Sequence, residues 1–106
     1  MALVQQSITF GAGAATQIAP AGTYVTEVRV QPLRANTENI FVGDSSLTQD
    51  GSAGVIEDLG ALGTGATVQL DKFSLKAKGG SHNYDAGTLY VWGTTGEGCN
   101  VTYWTM

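Results

Sequence analysis

Residues 24–31 read Tyr-Val-Thr-Glu-Val-Arg-Val-Gln and carry the pattern that decides the fold. The even positions 26, 28 and 30 hold Thr, Val and Val, whereas the odd positions 27, 29 and 31 hold Glu, Arg and Gln. Successive side chains of a β-strand point to opposite faces. The alternation therefore predicts a strand with one buried and one solvent-facing side. Pro32 ends this strand, because proline has no amide hydrogen for the next ladder bond.

Short apolar or alternating segments of the same kind recur along the chain, separated by turn residues. The other predicted strands are Gln6–Phe10, Thr16–Ile18, Asn39–Val42, Ala66–Leu70, Lys72–Lys76, Thr88–Trp92 and Asn100–Trp104. Their spacing predicts an all-β fold, a jelly-roll-like β-sandwich of about eight short antiparallel strands, in one domain over residues 1–106. A glycine-rich connection at residues 93–98 joins the last two strands, so we predict that they pair as an antiparallel hairpin.

Residues 43–65 are the least regular part of the sequence, with six glycines and four acidic residues. We predict a long connection containing one short strand. A turn of helix is plausible only at Ser52–Leu59, since Gly54 and Gly60 disfavour a longer one. The connection serves either as a crossover between sheets, which we prefer, or as a functional loop.

The composition excludes several classes of protein. Only 13% of the residues are charged, 15 of the 106 are glycine, and the net charge is −4. Binding to nucleic acid requires clustered cations, and no apolar run approaches the ~20 residues of a membrane-spanning helix. The first residues also lack the features of a signal peptide. We therefore expect neither nucleic acid nor a membrane as a partner.

The inventory of catalytic side chains is poor. His82 is the one histidine and lies in the predicted loop Gly79–Asp85. Ser81, His82 and Asp85 contain the residue types of a catalytic triad, but neighbours in one loop rarely hold its geometry, and no G-x-S-x-G elbow is present. Cys99 has no cationic neighbour in sequence and is expected to be a small buried hydrophobic residue. We expect no catalytic residue and no enzymatic activity.

Metal and phosphate sites receive little support. One histidine and one cysteine exclude a zinc site built from several such ligands. Residues 44–51 hold two aspartates and a glycine without the spacing of an EF-hand, which leaves a weak calcium loop as the alternative. Residues 60–65 resemble a phosphate-binding loop only superficially, because no Lys-Ser/Thr pair follows. We expect no metal and no cofactor.

The aromatic residues allow two interpretations. Tyr90 and Trp92 lie on one face of their predicted strand, and in a hairpin Trp104 can join them. These rings either fill the sandwich core or form an exposed platform for a sugar or a protein. Both faces of the predicted hairpin are apolar, so it is either covered on both sides within the domain or partly covered by another chain.

The segment at residues 1–6 carries no charged side chain. In a monomer it is expected to be a frayed end. In an assembly it can act as an N-terminal arm that adds a strand to a neighbour, and this interpretation is slightly preferred.

Three segments resemble parts of small virion proteins of tailed bacteriophages: Glu38–Ser46 with the glycine-rich stretch behind it, Leu89–Gly96, and Asn100–Trp104. The similarity spans residues 23–104 and consists of strand, glycine and turn pattern, without a catalytic motif. It implies a capsid decoration (cement) protein. Such proteins are typically β-sandwiches or jelly rolls, often trimerise, and sit on the head surface where major capsid subunits meet.

The resemblance leads us to expect a structural virion protein on the capsid surface. Its partners would be the major capsid protein and further copies of itself, with a homotrimer favoured. The candidate residues for the subunit or capsid interface are Leu3, Val4, Gln5, Tyr90, Trp92 and Trp104. The alternative is a carbohydrate-binding or receptor-binding (adhesin or tail) β-sandwich module. Its ligand would contact Tyr84, Tyr90, Trp92 and Trp104.

Overall fold

The computed structural model describes residues 2–33, 36–59, 73–76 and 84–105. Within these residues the chain forms nine strands in two antiparallel sheets, and one short 3-10 turn at Ala86–Thr88. No helix among the described residues is long and apolar enough to cross a membrane.

The first sheet, called sheet A, has five strands. In spatial order these are β1 (Ala2–Thr9), β9 (Gly98–Thr105), β3 (Tyr24–Pro32) and β6 (Phe73–Lys76), with β7 (Tyr84–Asp85) paired to the start of β3. The second sheet, called sheet B, has four strands. Their order is β2 (Thr16–Gln17), β8 (Tyr90–Trp92), β4 (Ile40–Gly43) and β5 (Val55–Leu59).

The strand order is that of a jelly roll. Apart from the two-residue β7, successive strands alternate between the sheets except at β4 and β5, which pair with each other. Eight strands arranged in this way form the two Greek keys of a jelly-roll sandwich. The predicted all-β sandwich is confirmed.

The core lies between the two sheets, and the alternation within each strand accounts for it. In β3, Val25, Val28 and Val30 are completely buried. Val25 and Val28 are three positions apart because a β-bulge interrupts the pairing with β9 between Val25 and Glu27. As a result Thr26, which was expected on the buried face, is only partly buried.

The large buried side chains come from both sheets and from the connections between them. They are Ile8, Phe10, Ile18, Val25, Val28, Val30, Ile40, Val42, Leu47, Leu59, Leu89, Val91, Trp92, Val101 and Tyr103. Cys99 is also completely buried, as expected, and loss of hydration raises the pKa of its thiol to about 12.

The predicted hairpin between the last two strands is wrong. β8 lies inside sheet B between β2 and β4, whereas β9 lies inside sheet A between β1 and β3. Their connection crosses from one sheet to the other. The amide of Phe10 donates to the carbonyl oxygen of Glu97 at 2.8 Å, and the amide of Gly96 donates to the carbonyl oxygen of Phe10 at 3.0 Å. Gly96 has φ +89°, a value that favours glycine.

Two other local expectations change. The one short strand predicted within residues 43–65 is β5, which pairs with β4 and lies where a turn of helix was considered plausible, at Ser52–Leu59. Residues 2–6, expected as an arm, form the first part of β1, and the pairing with β9 runs from Ala2↔Thr105 to Thr9↔Gly98. The arm is thus part of the chain's own sheet, because β9 offers it a complete ladder of backbone partners.

Some predictions fall outside the described residues. These are the strand at Ala66–Leu70, the phosphate-like loop at residues 60–65, and the positions of Ser81 and His82. β5 belongs to sheet B and β6 to sheet A. The chain therefore changes sheet between them, but residues 60–72 lie outside the description.

Candidate functional site

The outer face of sheet A gathers side chains from three adjacent strands. Pairing places Leu3, Trp104 and Glu27 in one row across β1, β9 and β3. The next row contains Gln5, Thr102 and Arg29, followed by a row of Ser7, Asn100 and Gln31. Each row points away from the core, because its members alternate with buried neighbours such as Ile8, Val101 and Val30.

These rows enclose a shallow groove of about 350 Å³, here called the sheet A groove. Its lining residues are Leu3, Gln5, Arg29, Val30, Gln31, Asn100, Thr102 and Trp104. The volume is at the lower end of the ~300–1,000 Å³ typical of small-ligand sites. Apart from one arginine, the described residues of this lining have uncharged side chains.

The positive charge of Arg29 is paired with the carboxylate of Glu27, which lies in the adjacent row. The Nε of Arg29 donates to Oε2 of Glu27 at 2.8 Å. The guanidinium carbon lies 5.4 Å from the centre of the Trp104 ring, a cation–π distance. The Arg29 side chain therefore covers one part of the indole and keeps it in place beside the groove, while its charge is largely balanced by Glu27.

The two glutamines of the groove differ from three other glutamines in the hydrogen bonds that their side chains make. Gln6, Gln17 and Gln49 each donate a side-chain amide hydrogen to a backbone carbonyl, at 2.7, 2.7 and 2.9 Å respectively. Within the described residues, by contrast, the side chains of Gln5 and Gln31 make no hydrogen bond. Both residues are exposed to solvent.

The hydroxyl of Thr102 and the indole N–H of Trp104 likewise have no hydrogen-bond partner in the described part of the chain. Asn100 uses its Oδ1 to accept from the Ser7 hydroxyl at 2.8 Å, which leaves its amide hydrogens available. The sheet A groove thus combines a partly exposed indole with several neutral donors and acceptors that have no partner among the described residues.

The structure divides the six predicted interface residues between two surfaces. Leu3, Gln5 and Trp104 come together in the sheet A groove. Val4 lies on the opposite face of β1 and packs against the core.

Tyr90 and Trp92 lie in the other sheet. Tyr90 packs against the core, and Trp92 is only 9% exposed, with its Nε1 donating to the carbonyl oxygen of Gly11 at 2.9 Å. The expected common platform of Tyr90, Trp92 and Trp104 is therefore wrong, because the two strands that carry them are not paired. Trp92 belongs to the buried cluster and Tyr90 packs against it, both on the face of β8 opposite Val91.

The acidic loop at residues 44–51 uses its carboxylates to hold its own turns. Oδ1 of Asp44 accepts from the amide of Ser46 at 2.9 Å and from its hydroxyl. Oδ1 of Asp50 accepts from the amide of Ser52 and the hydroxyl of Thr48, both at 3.0 Å. These hydrogen bonds lower the pKa of both carboxyl groups. Among the described residues no group of three or more His, Cys, Asp and Glu is placed to hold a metal ion.

Two other acidic side chains have structural roles. Asp85 accepts from the amides of Gly22 and Gly87 and caps the 3-10 turn. Glu97 accepts from the amide and hydroxyl of Thr37 at 2.7 and 2.8 Å, and from the amide of Glu38 at 3.2 Å. Burial opposes ionisation of Glu97, but these donors outweigh it and lower the pKa of its carboxyl group.

Comparison with known proteins adds no relative: no protein-family model, no curated protein and no solved structure matches the chain.

Besides the buried Val30, four groove residues were not singled out from the sequence: Arg29, Gln31, Asn100 and Thr102. The alternation of β3 places Arg29 and Gln31 on one outer face, and Thr102 shares a face with Trp104 in β9. The sequence did not indicate that β3 pairs with β9, because β9 was predicted to form a hairpin with β8. With the correct partner, the same alternation brings all four residues together.

Proposed function

We propose that this chain is a structural virion protein, a capsid decoration (cement) subunit that binds the outer surface of a phage head and stabilises it. Its partners would be the major capsid protein and further copies of itself, and the resemblance favours a homotrimer. The proposal assigns the chain no catalysis, no cofactor and no nucleic-acid or membrane partner. It supposes a rigid binding module whose surface is partly covered in the assembled particle.

The observation that carries the proposal is the free edge of β1. Among the described residues, β1 has a neighbour on one side only, so the backbone groups along its other side are unpaired over eight residues. Its sequence, Ala-Leu-Val-Gln-Gln-Ser-Ile-Thr, contains no charge, no proline and no glycine. An exposed edge of this kind readily accepts a strand from another chain.

The other edges of the two sheets have the usual protection. β2 is only two residues long, β5 carries Glu57 and Asp58 at exposed positions, and β6 ends in Lys76. Short edge strands and charged edge residues discourage pairing between chains. β1 is the exception, which favours it as the strand that is covered by a neighbour in an assembly.

A charged side chain on β1 tests this proposal. Leu3 is 60% exposed, so Leu3→Lys should leave the fold intact and hinder pairing at the edge. We expect the purified protein to be oligomeric and to co-sediment with expanded capsids that lack it, and Leu3→Lys to weaken both properties by about tenfold or more. The matched control is Ile56→Lys, which changes a similarly exposed residue, 55% exposed, on the charged edge strand β5.

The readouts are mass by light scattering and the fraction of protein bound to capsids. A monomeric wild-type protein that does not bind capsids would overturn the proposal. Equal loss in Leu3→Lys and Ile56→Lys would show that the β1 edge is not the contact. The position of the gene, beside a major capsid gene or beside tail-fibre genes, separates this proposal from the adhesin alternative.

A further inference from the structure

We propose that the sheet A groove is a binding site for a neutral saccharide, with the indole of Trp104 as its platform and the amides of Gln5 and Gln31 as its main hydrogen-bonding groups. This inference goes beyond the proposed function and does not depend on it. A strand added at the β1 edge extends sheet A in its own plane and leaves the outer face open.

The first argument is the state of Trp104. The ring is partly exposed at the end of the groove, and Arg29 holds it in position at 5.4 Å. Its indole N–H has no acceptor in the described part of the protein. An aromatic ring with one apolar surface and one unused polar group suits a sugar, which presents both C–H faces and hydroxyl groups.

The second argument is the chemistry of the surrounding groups. Side-chain amides and a threonine hydroxyl offer donors and acceptors within the same small area, and a sugar hydroxyl also acts as both donor and acceptor. Gln5, Gln31 and Thr102 have no side-chain hydrogen bond within the described residues, whereas Gln6 and Gln17 are engaged with backbone carbonyls. The groove therefore presents polar groups that a bound ligand can satisfy.

The third argument concerns charge. Among the described lining residues the one cation, Arg29, is paired with Glu27 at 2.8 Å, and none is a carboxylate. A phosphate or an acidic sugar would have to compete with Glu27 for the guanidinium. Because the protein as a whole carries a net charge of −4, an anionic ligand would also be repelled. These facts favour an uncharged ligand.

The size of the groove limits the ligand further. A volume of about 350 Å³ suits a small unit such as a disaccharide rather than an extended chain. The groove is open to solvent along the sheet, so a longer oligosaccharide can present one such unit to it.

The test uses the two tryptophan indole N–H signals in proton–nitrogen NMR spectra of the full chain. The Trp104→Phe variant assigns them, since it removes one signal. The probes are lactose, maltose and N,N′-diacetylchitobiose, with 3′-sialyllactose as the acidic comparison, all at millimolar concentrations. We expect at least one neutral probe to shift the Trp104 signal while the buried Trp92 signal stays unchanged.

The site is then checked by substitution. For the probe that binds, Trp104→Ala should weaken binding by about tenfold or more, and Gln31→Ala should weaken it by a smaller factor. Gln31 is exposed, so that variant tests the site even if Trp104→Ala folds poorly. The control is Tyr24→Ala, which removes a 50% exposed aromatic side chain of the same sheet that is not among the groove residues.

Three results would overturn the inference. No probe shifts the Trp104 signal, or both indole signals shift together, or Tyr24→Ala weakens binding as much as Trp104→Ala. A response to 3′-sialyllactose alone would refute the neutral ligand class. Capsid co-sedimentation of the wild-type protein is a separate measurement, so failure of the saccharide site and failure of the decoration role can be told apart.

Discussion

The two tryptophans occupy opposite kinds of environment in one small protein. Trp92, in the centre of sheet B, is almost completely buried, and its N–H donates to the carbonyl oxygen of Gly11. Trp104, in the centre of sheet A, lies on the outer face, with Arg29 against its ring. Both strands are central and both rings are large. Trp92 also lies on the face of its strand opposite the buried Val91. The two rings therefore differ in what covers them, because the chain at Gly11 reaches the indole of Trp92.

This difference separates a residue that maintains the fold from one that is available for function. A buried ring with a satisfied N–H has no capacity left for a ligand. A partly exposed ring beside uncommitted amides has that capacity and contributes less to stability. Substitution of each tryptophan should therefore change different properties.

The largest expected effect is that of Trp92→Ala. Removal of a buried aromatic side chain leaves a cavity and also leaves the carbonyl of Gly11 without its donor. We expect the free energy of unfolding to fall by about 3–5 kcal/mol, a large part of the ~5–15 kcal/mol of a typical domain. Urea denaturation followed by circular dichroism measures this loss. A change below about 1 kcal/mol would contradict the assignment of Trp92 to the core.

Trp104→Ala should have a much smaller effect on stability. The ring is partly exposed, and the contact with Arg29 is worth about 0.5–1 kcal/mol at such a site. We therefore expect a loss of about 1 kcal/mol, measured in the same urea titration. A loss equal to that of Trp92→Ala would mean that Trp104 maintains the fold, and would remove the contrast between the two rings.

The smallest expected effect concerns the connection that separates the two tryptophan strands. The carboxylate of Glu97 anchors this connection to Thr37 and Glu38, and its pKa is lowered in the folded state. A group with a lowered folded pKa contributes stability above its unfolded pKa and loses it as the pH falls through the folded value. Part of the acid destabilisation below the ordinary pKa of 4.5 should therefore disappear in Glu97→Gln.

The measurement is the melting temperature as a function of pH for the wild type and Glu97→Gln. Asp44 and Asp50 also have lowered pKa values, so the variant should still lose stability in acid, with a shallower slope. Identical slopes for the two proteins would show that Glu97 does not stabilise the connection.

The class of fold could be predicted from the sequence, because the fold class depends on the local pattern of apolar and polar residues. Alternation in β3, the run at β4 and the aromatic strands β8 and β9 each identify a strand, and their number and spacing indicate a sandwich. Pairing was harder to predict. A short glycine-rich connection such as residues 93–98 suits both a hairpin and a crossing between sheets, and the two are distinguished only by the long-range partners of β8 and β9.

The site was only partly predictable for the same reason. Leu3, Gln5 and Trp104 were identified, but Arg29, Gln31, Asn100 and Thr102 join them through the pairing of β3 with β9. One short strand was predicted within residues 43–65, but its position at β5 was not, because the pattern does not alternate: Val55, Ile56, Glu57 and Asp58 are all exposed on this edge strand. Residues exposed on both sides of a strand give no periodic signal.

The pairing of β1 with β9 also affects the order in which the protein folds. Every residue of β1 pairs with β9, and β2 to β8 are all synthesised between them. During translation β1 therefore has no neighbour in its sheet until β9 has left the ribosome. Contacts so distant in sequence slow folding. An apolar strand such as β1 is prone to aggregate before its partner β9 is available. Sheet A therefore cannot be completed until the chain has been synthesised through β9, and until then β1 can pair with other nascent chains.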